Sequence, residues 1–172
     1  MFVVAGRHCG KSTQLRSMFC DVRLGTKGEI PGEKKLRDFH QLTNERFLYL
    51  RLSSPHELKE SPKEFLRKTR DKIEGARAEW GPRWNFACAL QADPSHKMPD
   101  AIETVKVFVG YFAPERTRVT FLSPDRNDDV LPEDDVLRIS RSLRRVPSVE
   151  VCWIDARHAI GNGLMLADFF AF

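Results

Sequence analysis

The stretch MFVVAGRHCGKST, residues 1–13, decides the fold that the sequence predicts. Its first five residues are apolar, which is typical of a short strand buried on both faces. Gly6 and Gly10 bracket a turn, and the residues from Lys11 onward have helical spacing. The apolar residues of that helix, predicted over 11–24, share one face: Leu15, Met18, Phe19 and Val22. A strand, a glycine-containing turn and a helix in this order begin an alternating β/α chain.

The rest of the sequence continues this alternation. Four further apolar runs of strand length lie at residues 46–52, 84–90, 118–122 and 149–154, with helix-like segments between them. Two of those helices have a recognisable start, Ser61 with Glu64 and Asp100 with an acid three residues later. The order predicts an α/β fold, a three-layer α/β/α sandwich with a mostly parallel five-stranded sheet, in a single domain over residues 1–172.

Two segments fit the alternation less well. Residues 24–35 are rich in Gly and Lys and indicate a loop, and residues 35–45 are interpreted as a possible short helix. Residues 163–172 form an apolar tail after the last predicted strand.

Composition restricts the function classes. The chain has 28 Lys and Arg against 24 Asp and Glu, a net charge of +4 that permits but does not require binding to nucleic acid. No apolar run approaches the roughly 20 residues of a membrane span, and no signal peptide is recognised. We therefore expect a cytoplasmic protein without a membrane partner. Its scattered cysteines are expected to be reduced, mostly buried thiols: Cys9, Cys20, Cys88 and Cys152.

The residues after the first strand match a phosphate-binding pattern. From Ala5 to Ser12 they read AGRHCGKS, which differs from G-x-x-x-x-G-K-[ST] only in the first residue. In that pattern backbone amides surround a phosphate at a helix N-terminus, the Lys reaches the β- and γ-phosphates, and the hydroxyl binds Mg²⁺. The predicted strand before the motif and the predicted helix after it are the context that the pattern requires.

At these residues the chain resembles the P-loop NTPase superfamily (Walker A motif), and the β/α alternation is similar to that of its kinase-like members. The resemblance implies ATP and Mg²⁺ as cofactors. It assigns a catalytic, charge-stabilising role to Lys11, a metal-binding role to Ser12 and an approach to the α-phosphate to Thr13. The residues implied in nucleotide binding are Gly6, His8, Cys9, Gly10, Lys11, Ser12 and Thr13.

Two residues of the motif prompt separate expectations. His8 stands where the superfamily often has a glycine in a left-handed conformation, which His tolerates better than most residues. Cys9 adjoins the anion site and a helix N-terminus, which would lower the pKa of its thiol and permit redox control.

Phosphoryl chemistry also needs an acid near the metal. Asp93, just past the third predicted strand, is the leading candidate as catalytic residue and metal ligand, because in kinase-like members that strand lies beside the P-loop strand. Asp155, at the end of the fifth, is the alternative. Glu57 follows the second predicted strand, where an acceptor substrate often binds, and His56 beside it is a candidate proton carrier. A late helix carries further candidates for stabilising a transferring phosphate: Arg138, Arg141, Arg144 and Arg145.

The sequence thus predicts an ATP-binding P-loop protein, an NTPase or a small kinase-like phosphotransferase, acting with Mg²⁺ on water or a small-molecule acceptor. Adenine is favoured because the fourth predicted strand ends in FLSPDRND, which lacks the Asn-Lys-x-Asp signal of guanine-specific proteins. One alternative is a non-catalytic nucleotide-binding module that regulates or binds a protein partner. Another is a nucleic-acid-associated accessory protein, based on the net charge and the arginine-rich helix.

Overall fold

The computed structural model describes residues 1–24 and 28–170. Within these residues six strands form one sheet: β1 (Phe2–Ala5), β2 (Phe39–Thr43), β3 (Arg46–Arg51), β4 (Arg83–Gln91), β5 (Thr117–Leu122) and β6 (Val149–Ile154). Their order is β2-β3-β4-β1-β5-β6. All neighbouring pairs are parallel except β2 and β3, which are antiparallel. The protein is therefore an α/β fold with a six-stranded mixed sheet flanked by helices.

The prediction of a five-stranded sheet is wrong, because β2 adds a sixth strand at the edge. It lies in the segment interpreted as a possible short helix, and a two-residue turn at Asn44 and Glu45 joins it to β3. Short turns with Asn are typical of antiparallel hairpins. Of the loop predicted over 24–35, residues 25–27 lie outside the described residues.

The helices follow the predicted alternation, with one addition. They are α1 (Lys11–Ser17), α2 (Pro62–Trp80), α3 (Ala101–Phe112), α4 (Glu133–Leu143) and α5 (Ala159–Asp168). The last begins before the predicted apolar tail and includes its first six residues, while residues 171–172 lie outside the description. None of the helices in residues 1–24 and 28–170 is both long and apolar enough to cross a bilayer.

The predicted helix starts are confirmed at α2 and α3. Ser61 and Glu64 exchange hydrogen bonds in a capping box, and the Asp100 carboxylate accepts one from the Glu103 N–H at 2.9 Å. The helix predicted over 11–24 is wrong in length. It changes at residue 18 into 3₁₀ turns, and Val22, expected on its buried face, is 78% exposed.

Alternate residues of β1 belong to two cores on opposite faces of the sheet. Phe2 and Val4 pack with apolar residues of α2, α3 and α4, while Val3 and Ala5 pack with those of α1 and α5. On the second face α5 presses against α1 at Gly163, where an added Cβ would lie 2.1 Å from the Ser17 carbonyl oxygen. This contact leaves no room for a larger residue.

Asp21 follows α1 and is a nearly buried acid, 6% exposed. Its carboxylate accepts hydrogen bonds from the Arg23 backbone N–H at 2.9 Å and from the guanidinium at 2.8 and 2.5 Å. These bonds lower the pKa of Asp21 below its ordinary value.

The chain reverses its direction across the sheet at β1. It runs from β1 outward to β2 and β3, returns to β4 on one side of β1, and then continues to β5 and β6 on the other side. In sheets of this kind ligands bind in the crevice above the carboxyl ends of the strands, at the point where the strand order reverses. That point is the carboxyl end of β1, at residues 6–10.

Candidate functional site

The 6–10 loop connects β1 to α1 through two left-handed residues. His8 has φ 61° and Gly10 has φ 91°, so the left-handed conformation expected at His8 is present. A Cβ added at Gly10 would lie 3.2 Å from the Cβ of Arg126, a residue of the β5–α4 connection. Glycine at position 10 therefore meets a conformational and a steric requirement.

Most backbone N–H groups of this loop have no partner in the described part of the chain. Among residues 1–24 and 28–170, none accepts a hydrogen bond from the N–H of residues 7, 8 and 10–13, whereas the Cys9 N–H closes a turn onto the Gly6 carbonyl. The first bond within the helix runs from Gln14 to the Gly10 carbonyl. A helix start ordinarily leaves four N–H groups unpaired. The six free donors of residues 7, 8 and 10–13, around the start of α1, are therefore available to an anion.

Lys11 is almost completely buried, with 4% of its surface exposed. Its ammonium donates one hydrogen bond, to the Gly6 carbonyl oxygen at 2.5 Å, although an ammonium has three donors. Burial lowers the pKa of Lys11, and the carboxylates of Glu57 and Asp125 partly oppose that effect. The loop thus encloses a positive charge with unused hydrogen-bonding capacity.

Asp125, at the end of β5, is a nearly buried acid that the sequence reasoning did not single out. Its Oδ1 accepts hydrogen bonds from the backbone N–H of Asn127 at 2.7 Å and of Asp129 at 3.2 Å. Burial alone would raise the pKa of Asp125, but these bonds and one from Cys9 hold it below its ordinary value. Nothing in the FLSPDRND stretch shows that this carboxylate faces Lys11, because the relation depends on the pairing of β1 with β5.

The expectation for Cys9 is wrong. Burial, with a hydrogen bond to Asp125, raises the pKa of the Cys9 thiol to about 11. Its Sγ also lies 3.3 Å from the Arg7 carbonyl oxygen, and only 7% of the residue is exposed. Because the reactive form of cysteine is the thiolate, Cys9 is unsuited to redox control. The four cysteines are free thiols, and all but Cys152 are buried.

Ser12 and Thr13 begin α1 with their hydroxyls in different surroundings. The Ser12 hydroxyl donates to the Leu52 carbonyl, just beyond β3, at 3.1 Å. The Thr13 hydroxyl lies 3.4 Å from the Arg16 guanidinium. In the described part of the chain, no group of three or more His, Cys, Asp or Glu side chains could hold a metal ion.

The two candidate metal-binding acids, Asp155 and Asp93, differ in whether other residues already bind their carboxylates. Asp155 accepts hydrogen bonds from the Arg157 backbone and guanidinium, at 2.6–3.1 Å, which lower its pKa. Asp93 is exposed, its carboxylate makes no hydrogen bond or ion pair in residues 1–24 and 28–170, and it lines the same cavity as Gly6 and Cys9. Of the two candidate acids, Asp93 is thus the one with free ligand capacity beside the loop.

His56 lies behind the loop and is 1% exposed. Its Nε2 is 2.7 Å from the Pro99 carbonyl oxygen, which can only accept, so Nε2 carries the proton and Nδ1 has a lone pair. Burial, reinforced by the charge of Lys11, lowers the pKa of His56. The Nδ1 atom is buried and has no partner in the described residues.

The arginines of the late helix divide into two groups. Arg138 forms an ion pair with Asp135 at 3.0 Å and reaches the cavity lined by Gly6. Arg141 and Arg145 line only a separate, open groove, which Arg138 also borders, and Arg144 lines neither space. Of the four predicted arginines, Arg138 is the one that the structure brings to the loop.

The comparisons with known proteins add no relative. No family model, no curated protein and no solved structure matches the chain.

Proposed function

We propose that the protein binds ATP with Mg²⁺ at the 6–10 loop, as a P-loop protein, and either hydrolyses the nucleotide or transfers its γ-phosphoryl group. One observation carries this proposal: the Lys11 ammonium is buried beside a run of unpaired backbone donors, with a single hydrogen bond to Gly6. Burying an ammonium is unfavourable unless it is paired and fully hydrogen-bonded. Phosphate oxygens would supply the missing acceptors and the counter-charge.

The proposed roles follow from position along the loop. The N–H groups of residues 7, 8 and 10–13 would hold the β-phosphate, Lys11 would stabilise negative charge on the transferring group, and Thr13 would approach the α-phosphate. Gly10 permits the backbone to come close to the phosphate because it has no side chain.

The proposal gives Mg²⁺ few protein ligands. Mg²⁺ keeps several waters and is usually held by one or two protein groups together with substrate phosphates, so a complete protein cage is not required. The Ser12 hydroxyl and the Asp93 carboxylate would hold it. Asp155 is less suitable because Arg157 occupies its carboxylate. The ion would supply neutralising charge on the phosphate oxygens.

The sheet supports a kinase-like arrangement. The third of the parallel strands, β4, pairs with β1 from Phe2 to Ala5, which is the neighbour relation that favoured Asp93 over Asp155. With helices on both faces, the finer proposal is a three-layer α/β/α sandwich of P-loop type.

The test measures ATP binding by calorimetry and ATP turnover by phosphate release, each with and without Mg²⁺. We expect Mg²⁺-dependent turnover that is lost in Lys11→Met and reduced in Ser12→Ala. Lys63→Met, on the exposed first turn of α2, is the matched control and should behave as wild type. Binding without turnover would instead support the regulatory module. If the wild-type protein fails to bind ATP, the proposal is wrong.

A further inference from the structure

A cavity of about 320 Å³ lies above the carboxyl ends of β4, β1 and β5. Gly6 and Cys9 form part of its wall, so it opens directly beside the proposed phosphate site. Its lining includes several apolar side chains: Val4, Ile102, Phe121, Leu122, Leu131 and Ile139. A partly enclosed space with an apolar lining at this position has the character of a small-molecule site.

The charged groups of the cavity are almost all acidic. Five aspartates line it against one arginine: Asp93, Asp100, Asp125, Asp129, Asp135 and Arg138. Apolar walls around charges of one sign strengthen the field inside a cleft. An anionic ligand would therefore be repelled, and a cation would be attracted.

The five aspartates of the cavity differ in whether their carboxylates are free to bind a ligand. Asp100 caps α3, Asp125 is held by backbone N–H groups, and Asp135 is paired with Arg138. The carboxylates of Asp93 and Asp129 make no hydrogen bond or ion pair within residues 1–24 and 28–170. If Asp93 serves Mg²⁺, Asp129 is the carboxylate left to meet a ligand.

We infer that this cavity binds the phosphoryl acceptor, and that the acceptor is an organic cation: an amino alcohol with an apolar portion. The inference rests on the proposed function in its transfer form. The acceptor hydroxyl oxygen would form a bond to the γ-phosphorus as the bond from that phosphorus to the β–γ bridging oxygen breaks. ADP departs with the bridging oxygen, and the hydroxyl proton passes to a cavity carboxylate and then to water.

The test compares three probes that share a phenylcarbinol body. The probes are 2-amino-1-phenylethanol, 1-phenylethane-1,2-diol and mandelate, which are cationic, neutral and anionic at pH 7. Dissociation constants are measured by protein-observed NMR on the full chain, without nucleotide. We expect the amine to bind about tenfold more tightly than the diol, mandelate to bind more weakly than the diol, and the preference to decrease with salt.

Paired variants locate the effect. Asp129→Asn combined with Asp135→Asn should weaken amine binding about fivefold and leave diol binding unchanged. Glu133→Gln combined with Asp134→Asn removes the same two negative charges from the first turn of α4, outside the cavity, and should have no effect. Circular dichroism of both proteins checks that they fold alike.

Three results would overturn the inference: equal binding of the amine and the diol, a cation preference that survives the double variant, or complete displacement of the amine by millimolar Mg²⁺ alone. The last would identify the acids as a metal site. These outcomes are distinct from failure of the proposed function, which the ATP measurements report separately. Saturable phosphorylation of 2-amino-1-phenylethanol by ATP would support both.

Discussion

Replacing Lys11 by Met should separate stability from function. Methionine keeps most of the buried apolar volume but removes the charge and its hydrogen bond to Gly6. That bond contributes about 1.5–3 kcal/mol, whereas burying an ammonium costs several kcal/mol. The two contributions nearly cancel, so we expect the variant to be between equally stable and about 1 kcal/mol more stable than wild type. For a chain of this size 1 kcal/mol raises Tm by about 2–4 °C.

The assay is urea unfolding followed by circular dichroism, with ATP titration of the same samples. ATP affinity should fall by at least about 100-fold, because charge-assisted hydrogen bonds to the phosphates are lost. Burial lowers the folded-state pKa of Lys11 below 10.5, so the penalty is complete below that lowered pKa and disappears as the pH rises through it to 10.5. The variant's advantage should therefore shrink at pH 11. Destabilisation by 3 kcal/mol or more would show instead that Lys11 is a structural ion-pair partner, and would refute the reasoning.

Three further predictions concern the folded frame. Gly163→Ala should destabilise the protein by more than about 3 kcal/mol in thermal unfolding, because its Cβ would overlap the last carbonyl of α1. Gly161→Ala, on the same helix, has free space around its Cβ and should stabilise the protein by about 0.5–1 kcal/mol. The Cys9 thiol, with its pKa raised to about 11, should resist iodoacetamide at pH 7.5 until urea is added; rapid labelling of the native protein at Cys9 would contradict the burial argument. Asp21→Asn should lower the free energy of unfolding by about 1–2 kcal/mol at pH 7. Because the folded-state pKa of Asp21 lies below 3.8, the difference in unfolding free energy between wild type and variant should decrease as the pH falls below about 4. A difference that stays constant down to pH 2 would exclude the Asp21 carboxylate as the source of the stabilisation.

The sequence predicted those secondary-structure elements whose ends are set by residues close together in the chain. The capping residues of α2 and α3 lie within three positions of their partners, so Ser61 and Asp100 could be assigned from sequence. The β2 strand was missed because an edge strand needs little burial. His40 and Leu42 are partly buried and Gln41 is exposed, which leaves a weak periodicity beside many charges. Its position depends on pairing with β3, which residues 39–43 do not encode alone.

The same distinction applies to the site. The 6–10 loop was located from sequence because Gly6, Gly10, Lys11 and Ser12 lie within one short stretch of the chain. Asp125 was missed, and the role of Glu57 beside Lys11 was not foreseen, because each is brought to the loop by its own strand. The Cys9 pKa was predicted in the wrong direction because proximity to a helix start suggested stabilisation of the thiolate, while burial and Asp125, just beyond β5, act against it.

The central place of β1 has a consequence for the order in which the protein can acquire its shape during synthesis. Phe2 pairs with Cys88 on one side and with Val119 on the other, so β1 leaves the ribosome before both of its neighbours, which are encoded far downstream. Until β5 has emerged, β1 lacks one of its neighbours and Lys11 lacks the acid at the end of β5. A nascent chain ending near residue 112 should therefore remain protease-sensitive at its amino end, and ATP should protect only chains long enough to include residue 125.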